Sequence, residues 1–215
     1  MEAALFDMDG VLVDSEDYWV EREREELLPT AVPDHDVAVS EITGMNYREI
    51  YDYLEAEYGT AVSAERFERL FEETANRIYR EDVTLLEGTH DLLATLEQRD
   101  VPTAIVSSSP HDWIGIVLGR FDLEDRFTTV VSAEDIDGPG KPAPDIFEYA
   151  AATLEVTPEA CVVCEDSAHG IESAVRAGTT CLAYDIDAHE GIDYSRAHEV
   201  AKTPAGLREA VLEQF

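Results

Sequence analysis

From Val83 onward the chain alternates short apolar runs with stretches of helical periodicity, and this alternation most narrows what it can fold into. Helical spacing predicts helices at Thr89–Gln98, His111–Leu118, Pro144–Leu154, Ala168–Ala177 and Ala205–Leu212. Between them, strands are predicted at Val101–Val106, Phe127–Val131, Cys161–Cys164 and Thr180–Tyr184. Alternation of this kind means an α/β fold: a Rossmann-like, mainly parallel sheet with helices on both faces. One earlier strand, Ala3–Asp7, stands apart from the rest. The stretch between is all-helical, with helices predicted at Trp19–Leu28, Tyr47–Tyr58 and Ala64–Tyr79, punctuated by Pro29, Pro33, Gly44 and Gly59. The simplest arrangement is a catalytic core of residues 1–14 and 83–215 with an inserted all-helical cap of residues 15–82. The acidic stretch Asp185–Glu199, with His189 and His198, reads as a solvated loop holding at most a short strand or turn.

Charge excludes several partners. With 48 acidic and 15 basic residues the formal net charge is -33, so nucleic acid and anionic membranes are disfavoured. The 45% apolar content still supplies a core. Such a surface suggests a halophilic cytoplasm, where salt screens the self-repulsion, and a protein that loses structure at low salt. No basic leader or apolar run of spanning length is visible, so the reading is cytoplasmic, as a monomer or weak homodimer. Cys161, Cys164 and Cys181 read as ordinary buried thiols; Cys161-Val162-Val163-Cys164 lacks a second ligand pair.

In parallel sheets of this kind, ligands bind beyond the carboxyl ends of the strands. Asp7 and Asp9 emerge there from the apolar Ala3-Ala4-Leu5-Phe6, and Gly10 permits a tight turn after them. Two close carboxylates repel, and a divalent cation relieves them. Glu165-Asp166 follows another strand on the same edge, so an oxygen-only set suits Mg²⁺ rather than zinc. Ser107 and Ser108 end a third strand before a helix, a place that suits a phosphate oxygen. Lys141 is one of two lysines in the chain, in the stiff loop Gly138-Pro139-Gly140-Lys141-Pro142. An ammonium there fits neutralisation of a phosphate better than solvation.

Taken together, these motifs resemble the haloacid dehalogenase-like hydrolase superfamily. Phe6-Asp7-Met8-Asp9-Gly10-Val11-Leu12-Val13-Asp14 is similar to its first motif, Ser107 to the second, Lys141 in Gly-Lys-Pro-Ala-Pro-Asp to the third, and Glu165-Asp166-Ser167 to the fourth. The helical insertion resembles the cap of the phosphoglycolate phosphatase and beta-phosphoglucomutase branch. The resemblance implies a Mg²⁺-dependent phosphatase of a small phosphate ester such as phosphoglycolate or a sugar phosphate. Asp7 resembles its nucleophile, Asp9 its acid and base (with the main-chain carbonyl on the metal), and Asp166 and Glu165 its metal ligands. Ser107 and Lys141 resemble the phosphate-holding pair. In relatives a glycine-led cap loop reaches the substrate, which makes Gly44 and Arg48 candidates. Arg48 could meet a second anionic group or simply pair with surface carboxylates, and Asn46 could be only a helix cap. A sugar phosphate mutase is the alternative; those relatives usually carry a histidine where this chain has Trp19. A binding protein with a retired active site and a phosphoacceptor receiver domain fit less well. The first should lose Asp7, Asp9 or Lys141, and the second needs no cap.

Overall fold

A computed structural model describes residues 1–43, 45–188 and 191–215. Four residues long and buried throughout, β1 (Ala3–Phe6) sits in the middle of a six-stranded sheet. The other strands are β2 (Thr103–Ser107), β3 (Thr129–Ser132), β4 (Cys161–Glu165), β5 (Thr180–Tyr184) and β6 (Glu199–Ala201). Their order is β3-β2-β1-β4-β5-β6, and every neighbouring pair is parallel. Strand order therefore reverses direction at β1, with β2 on one side and β4 on the other, and a crevice opens at such a switch point. Period-two alternation splits the core in two. Ala4 and Phe6 pack on one face of the sheet, and Ala3 and Leu5 on the other with Ile146 and Phe147.

Flanking the sheet are α5 (Thr89–Gln98), α6 (His111–Arg120), α7 (Asp145–Thr153), α8 (Ala168–Ala177) and α9 (Pro204–Leu212). The segment between β1 and α5 is helical. It contains α1 (Glu16–Arg22), α2 (Leu28–Ala31), α3 (Tyr47–Glu57) and α4 (Ala64–Arg77). Asn46 and Ser63 cap α3 and α4 by accepting from the amides of Arg48 and Arg66. Two wide, π-type turns interrupt this unit, at Glu23–Leu27 and Ile78–Asp82. Where the chain leaves and re-enters the core, Asp14 accepts from the Thr84 amide at 2.5 Å and hydroxyl at 2.7 Å, tying the two crossings together.

One expectation is corrected. The first helix starts at Glu16 rather than Trp19 and continues past Pro29 to Ala31. Pro29 opens the last segment just after a wide turn, where its missing N–H and its ring are tolerated. The acidic stretch after β5 closes into a short 3-10 turn at Tyr194–Arg196 and the edge strand β6, whose backbone pairs with β5 although Glu199 and Val200 are exposed. Among the described residues, no helix is long and apolar enough to cross a membrane. The three cysteines are free and buried.

Candidate active site

Register sets the floor of the site. Phe6 lies beside Ile105 of β2 and Cys164 of β4, so the residues that follow all three reach the same edge. Asp7 continues the ladder, donating its amide to the Cys164 carbonyl at 3.0 Å. The loop after β3 returns Lys141 under these ends. Its Nζ lies 2.6 Å from Asp7 Oδ1, 2.6 Å from Glu165 Oε1 and 3.2 Å from the Val106 carbonyl. The side chain is 2% exposed, so water contributes little and the two carboxylates carry the compensation. Burial works to lower it, but Asp7 and Glu165 overcome that and raise the ammonium above its ordinary value. Lys141 is thus a fixed cation at the base of the cleft.

Asp7, Glu165 and Asp166 each bring one carboxylate oxygen into a buried group within 4.8 Å of one another. Three hard oxygen donors fit a divalent cation such as Mg²⁺. Local backbone is shaped around them. Gly10 is left-handed, at φ 72°, and a Cβ there would collide with the Asp166 carboxylate; a Cβ at Gly170 would collide with that of Glu165. The second oxygen of Glu165 is anchored by the amides of Asp166 at 3.1 Å and Ser167 at 3.3 Å. Burial, then Glu16, Glu165 and Asp7, push the Asp166 carboxyl well up, a repulsion that a bound cation relieves.

The Asp9 carboxylate turns away from that group. Oδ1 accepts from Ser15 Oγ at 2.5 Å and Tyr79 Oη at 2.7 Å, and Oδ2 from Ser109 Oγ at 2.9 Å. Burial and neighbouring Glu16 push it up to about 6, against the lowering effect of the three hydroxyls. Its expected metal contact is through the main chain and so does not need this side chain. Burial and Asp9 raise the Tyr79 hydroxyl well above its usual range, which keeps it a donor.

A cleft of about 80 Å³ connects these groups to the helical unit. Ser107 and Ser108 line it beside Asp7, Asp9 and Lys141. Trp19, Tyr47 and Phe71 of the helical unit and Trp113 of α6 form an aromatic wall. Trp19 stacks on Phe71 and on Trp113, each at 5.7 Å between centroids, and donates to Tyr79 Oη at 3.1 Å. The unit is latched to the core by Asn46, which donates to the Ser108 carbonyl at 2.9 Å, and by Glu49, which accepts from the Gly140 amide at 2.9 Å. Asn46 is therefore both a helix cap and a contact across the cleft.

Arg48 is not brought to the cleft. Its side chain is 60% exposed, pairs with Glu68 at 3.3 Å and Glu134 at 3.8 Å, and lies 5.1 Å over the Tyr47 ring. Two nearby carboxylates satisfy it outside, so the anion-binding alternative loses its geometric support. Gly44, the other cap candidate, lies outside the described residues, as does His189. Sequence reasoning missed Ser15, Ser109, Tyr79, Trp113 and Glu23. The serines had a weak signal, one following the Asp14 motif and the other closing a serine run, but the others had none.

A parallel sheet with an inserted helical cap, and a carboxylate, lysine and acidic group meeting at its strand ends, define a hydrolase class. The haloacid dehalogenase-like hydrolase family matches residues 4–184, and the chain belongs to it as an enzyme. It is 32% identical over 178 residues to a phosphorylated carbohydrates phosphatase of Thermotoga maritima, covering 83% of this chain and 82% of that one. It is 31% identical over 175 residues to hexitol phosphatase B of Escherichia coli, covering 79% and 77%. The crystal structure of a haloacid dehalogenase-like protein from Agrobacterium tumefaciens superposes with a TM-score of 0.76 at 28% identity, over 99% of this chain and 98% of that one.

Proposed function

We propose that the protein is a Mg²⁺-dependent phosphatase that hydrolyses a small phosphate monoester through an aspartyl-phosphate at Asp7, with residues 15–82 acting as its cap. The observation that carries this reading is the Asp7 carboxylate, held 2.6 Å from Lys141 at the base of the cleft beside Glu165 and Asp166. In the first step an Asp7 oxygen attacks phosphorus, the ester P–O bond breaks, and the departing alkoxide takes a proton from Asp9. In the second, Asp9 removes a proton from water, water attacks phosphorus, and the Asp7–phosphate bond breaks. An Asp9 carboxyl near 6 suits both duties close to neutral pH. Ser107, Ser108 and Lys141 hold the phosphoryl oxygens. Asp7, Glu165 and Asp166 would hold the cation, which would supply positive charge to the phosphoryl group.

The named activities of the carbohydrate and hexitol phosphatases support a phosphorylated polyol or sugar as substrate, whereas phosphoglycolate rests on the resemblance to its branch alone. Trp19, packed between two aromatic rings, favours hydrolysis over the mutase alternative: no histidine lines the cleft among the described residues. The test is hydrolysis of p-nitrophenyl phosphate and a panel of metabolite phosphates in molar KCl. Turnover that requires Mg²⁺ is expected. Absence of turnover on every ester, or turnover indifferent to Mg²⁺ and EDTA, contradicts the proposal.

A further inference from the structure

One buried ionisable group in the cleft has no part in the chemistry above. Glu23 opens the wide turn Glu23–Leu27 and lines the cleft. It is 8% exposed, and among the described residues no hydrogen bond or ion pair reaches its carboxyl. Its oxygens are not among the fully buried, unpartnered polar atoms, so they open onto the cleft. Holding a carboxyl away from bulk water still costs stability, and a leucine or methionine would fill the same wall without that cost. Wide turns of this type re-aim side chains and recur at functional sites. Here the turn carries inward one glutamate of the run Glu21-Arg22-Glu23-Arg24-Glu25-Glu26, whose other members are exposed or half-buried.

The charge of the cleft gives that carboxyl a direction of selectivity. Lys141 is the one cation among its described lining residues, and Asp7 and Glu165 already engage it. Glu23 shares the cleft lining with the Trp19, Tyr47 and Phe71 rings. A leaving group that places a second anion beside Glu23 meets a carboxyl there, with Lys141 the one cation among the described lining residues. A chain of C–H and O–H groups instead lays its carbons on the rings and offers a hydroxyl to Glu23.

On the phosphatase reading above, we propose that Glu23 is the specificity-determining residue of the cleft: it accepts a hydroxyl of a neutral polyhydroxylated alcohol and turns away esters whose alcohol carries another anion. This selects sugar or polyol phosphates over phosphoglycolate. A buried group built to bind a hydroxyl discriminates strongly because a substrate lacking that hydroxyl leaves it unpaired.

The experiment compares full-length wild type, Glu23→Gln and Glu23→Leu on sorbitol 6-phosphate, phosphoglycolate and p-nitrophenyl phosphate, with Mg²⁺ in molar KCl. Wild type should favour sorbitol 6-phosphate over phosphoglycolate by about ten-fold or more in kcat/KM. Glu23→Leu should cut that ratio by about ten-fold, mainly through the KM for sorbitol 6-phosphate. Glu23→Gln keeps the shape and a hydrogen-bonding tip, and should reduce the ratio by admitting phosphoglycolate; it carries the test should the leucine variant fail to fold. A wild-type preference for phosphoglycolate, or a ratio unchanged in the folded variants, overturns the assignment while leaving the phosphatase reading intact. Failure of wild type on all three esters overturns both.

Discussion

On the floor of the cleft Lys141 bridges Asp7 and Glu165 at 2.6 Å each, whereas in its roof Glu23 is buried with no such partner. Both are costly ways to exclude charge from water, but they fail differently. The floor is a closed set, each member held by the others and by backbone shaped at Gly10 and Gly170. The roof is a set of aromatic rings with one carboxyl that opens onto the cleft. The difference separates two tasks. Handling a phosphoryl group requires fixed charges, while recognising an alcohol requires a polar group kept open for the ligand.

Breaking the floor should have the larger effect. Lys141→Met leaves Asp7 and Glu165 as buried carboxylates without their counter-charge. A loss of roughly 3–5 kcal/mol in urea unfolding without added metal is expected, together with loss of turnover. A variant as stable as wild type would mean that the floor is not a mutually dependent set.

Altering the roof should do the opposite to stability. Burial, then Glu16, raise the Glu23 carboxyl well above its ordinary value. A raised acid binds its proton more tightly folded than unfolded. Its penalty is therefore absent below the unfolded value of about 4.3 and grows as pH rises toward the folded value. Glu23→Gln removes that slope. The variant should match wild type near pH 4 and be more stable by about 1–2 kcal/mol once Glu23 is ionised. Parallel stability–pH curves would place the carboxyl in water rather than in the wall. The smallest effect belongs to Arg48, which is outside both sets. Arg48→Ala should cost no more than about 1 kcal/mol of stability and change kcat/KM for sorbitol 6-phosphate less than about two-fold, since its ion pairs are exposed. A large rise in KM would return it to the cleft.

The same contrast explains what the sequence made legible. Asp7, Asp9, Lys141, Glu165 and Asp166 follow apolar strands or occupy an unusual loop, and metal and phosphate chemistry accept few residue types. Their order along the chain, with a parallel sheet, was enough to bring them to one edge. The roof has no such grammar. Trp19, Tyr47, Phe71 and Trp113 come from four helices and meet only through packing within the helical unit and against α6. Tyr79 lies in the second wide turn, seventy positions from the Asp9 it contacts. Glu23 is one acid among many in a charged run, and local composition reads that run as solvated. For Arg48 the sequence left two readings open, an anionic ligand beside the glycine-led cap loop or pairing with surface carboxylates, and Glu68 and Glu134 give it the second. The edge strand β6 was obscured because Glu199 and Val200 remain exposed and only backbone pairing places them in the sheet.

The most direct test of the central claim is Asp7→Asn, which removes the attacking oxygen while keeping the side-chain shape. Its kcat is measured with Mg²⁺ on sorbitol 6-phosphate and p-nitrophenyl phosphate, alongside a thermal melt showing that it is folded. The account predicts a folded protein whose kcat is lower by about a thousand-fold or more on both esters. A folded Asp7→Asn variant that turns over either ester within about ten-fold of wild type would contradict it.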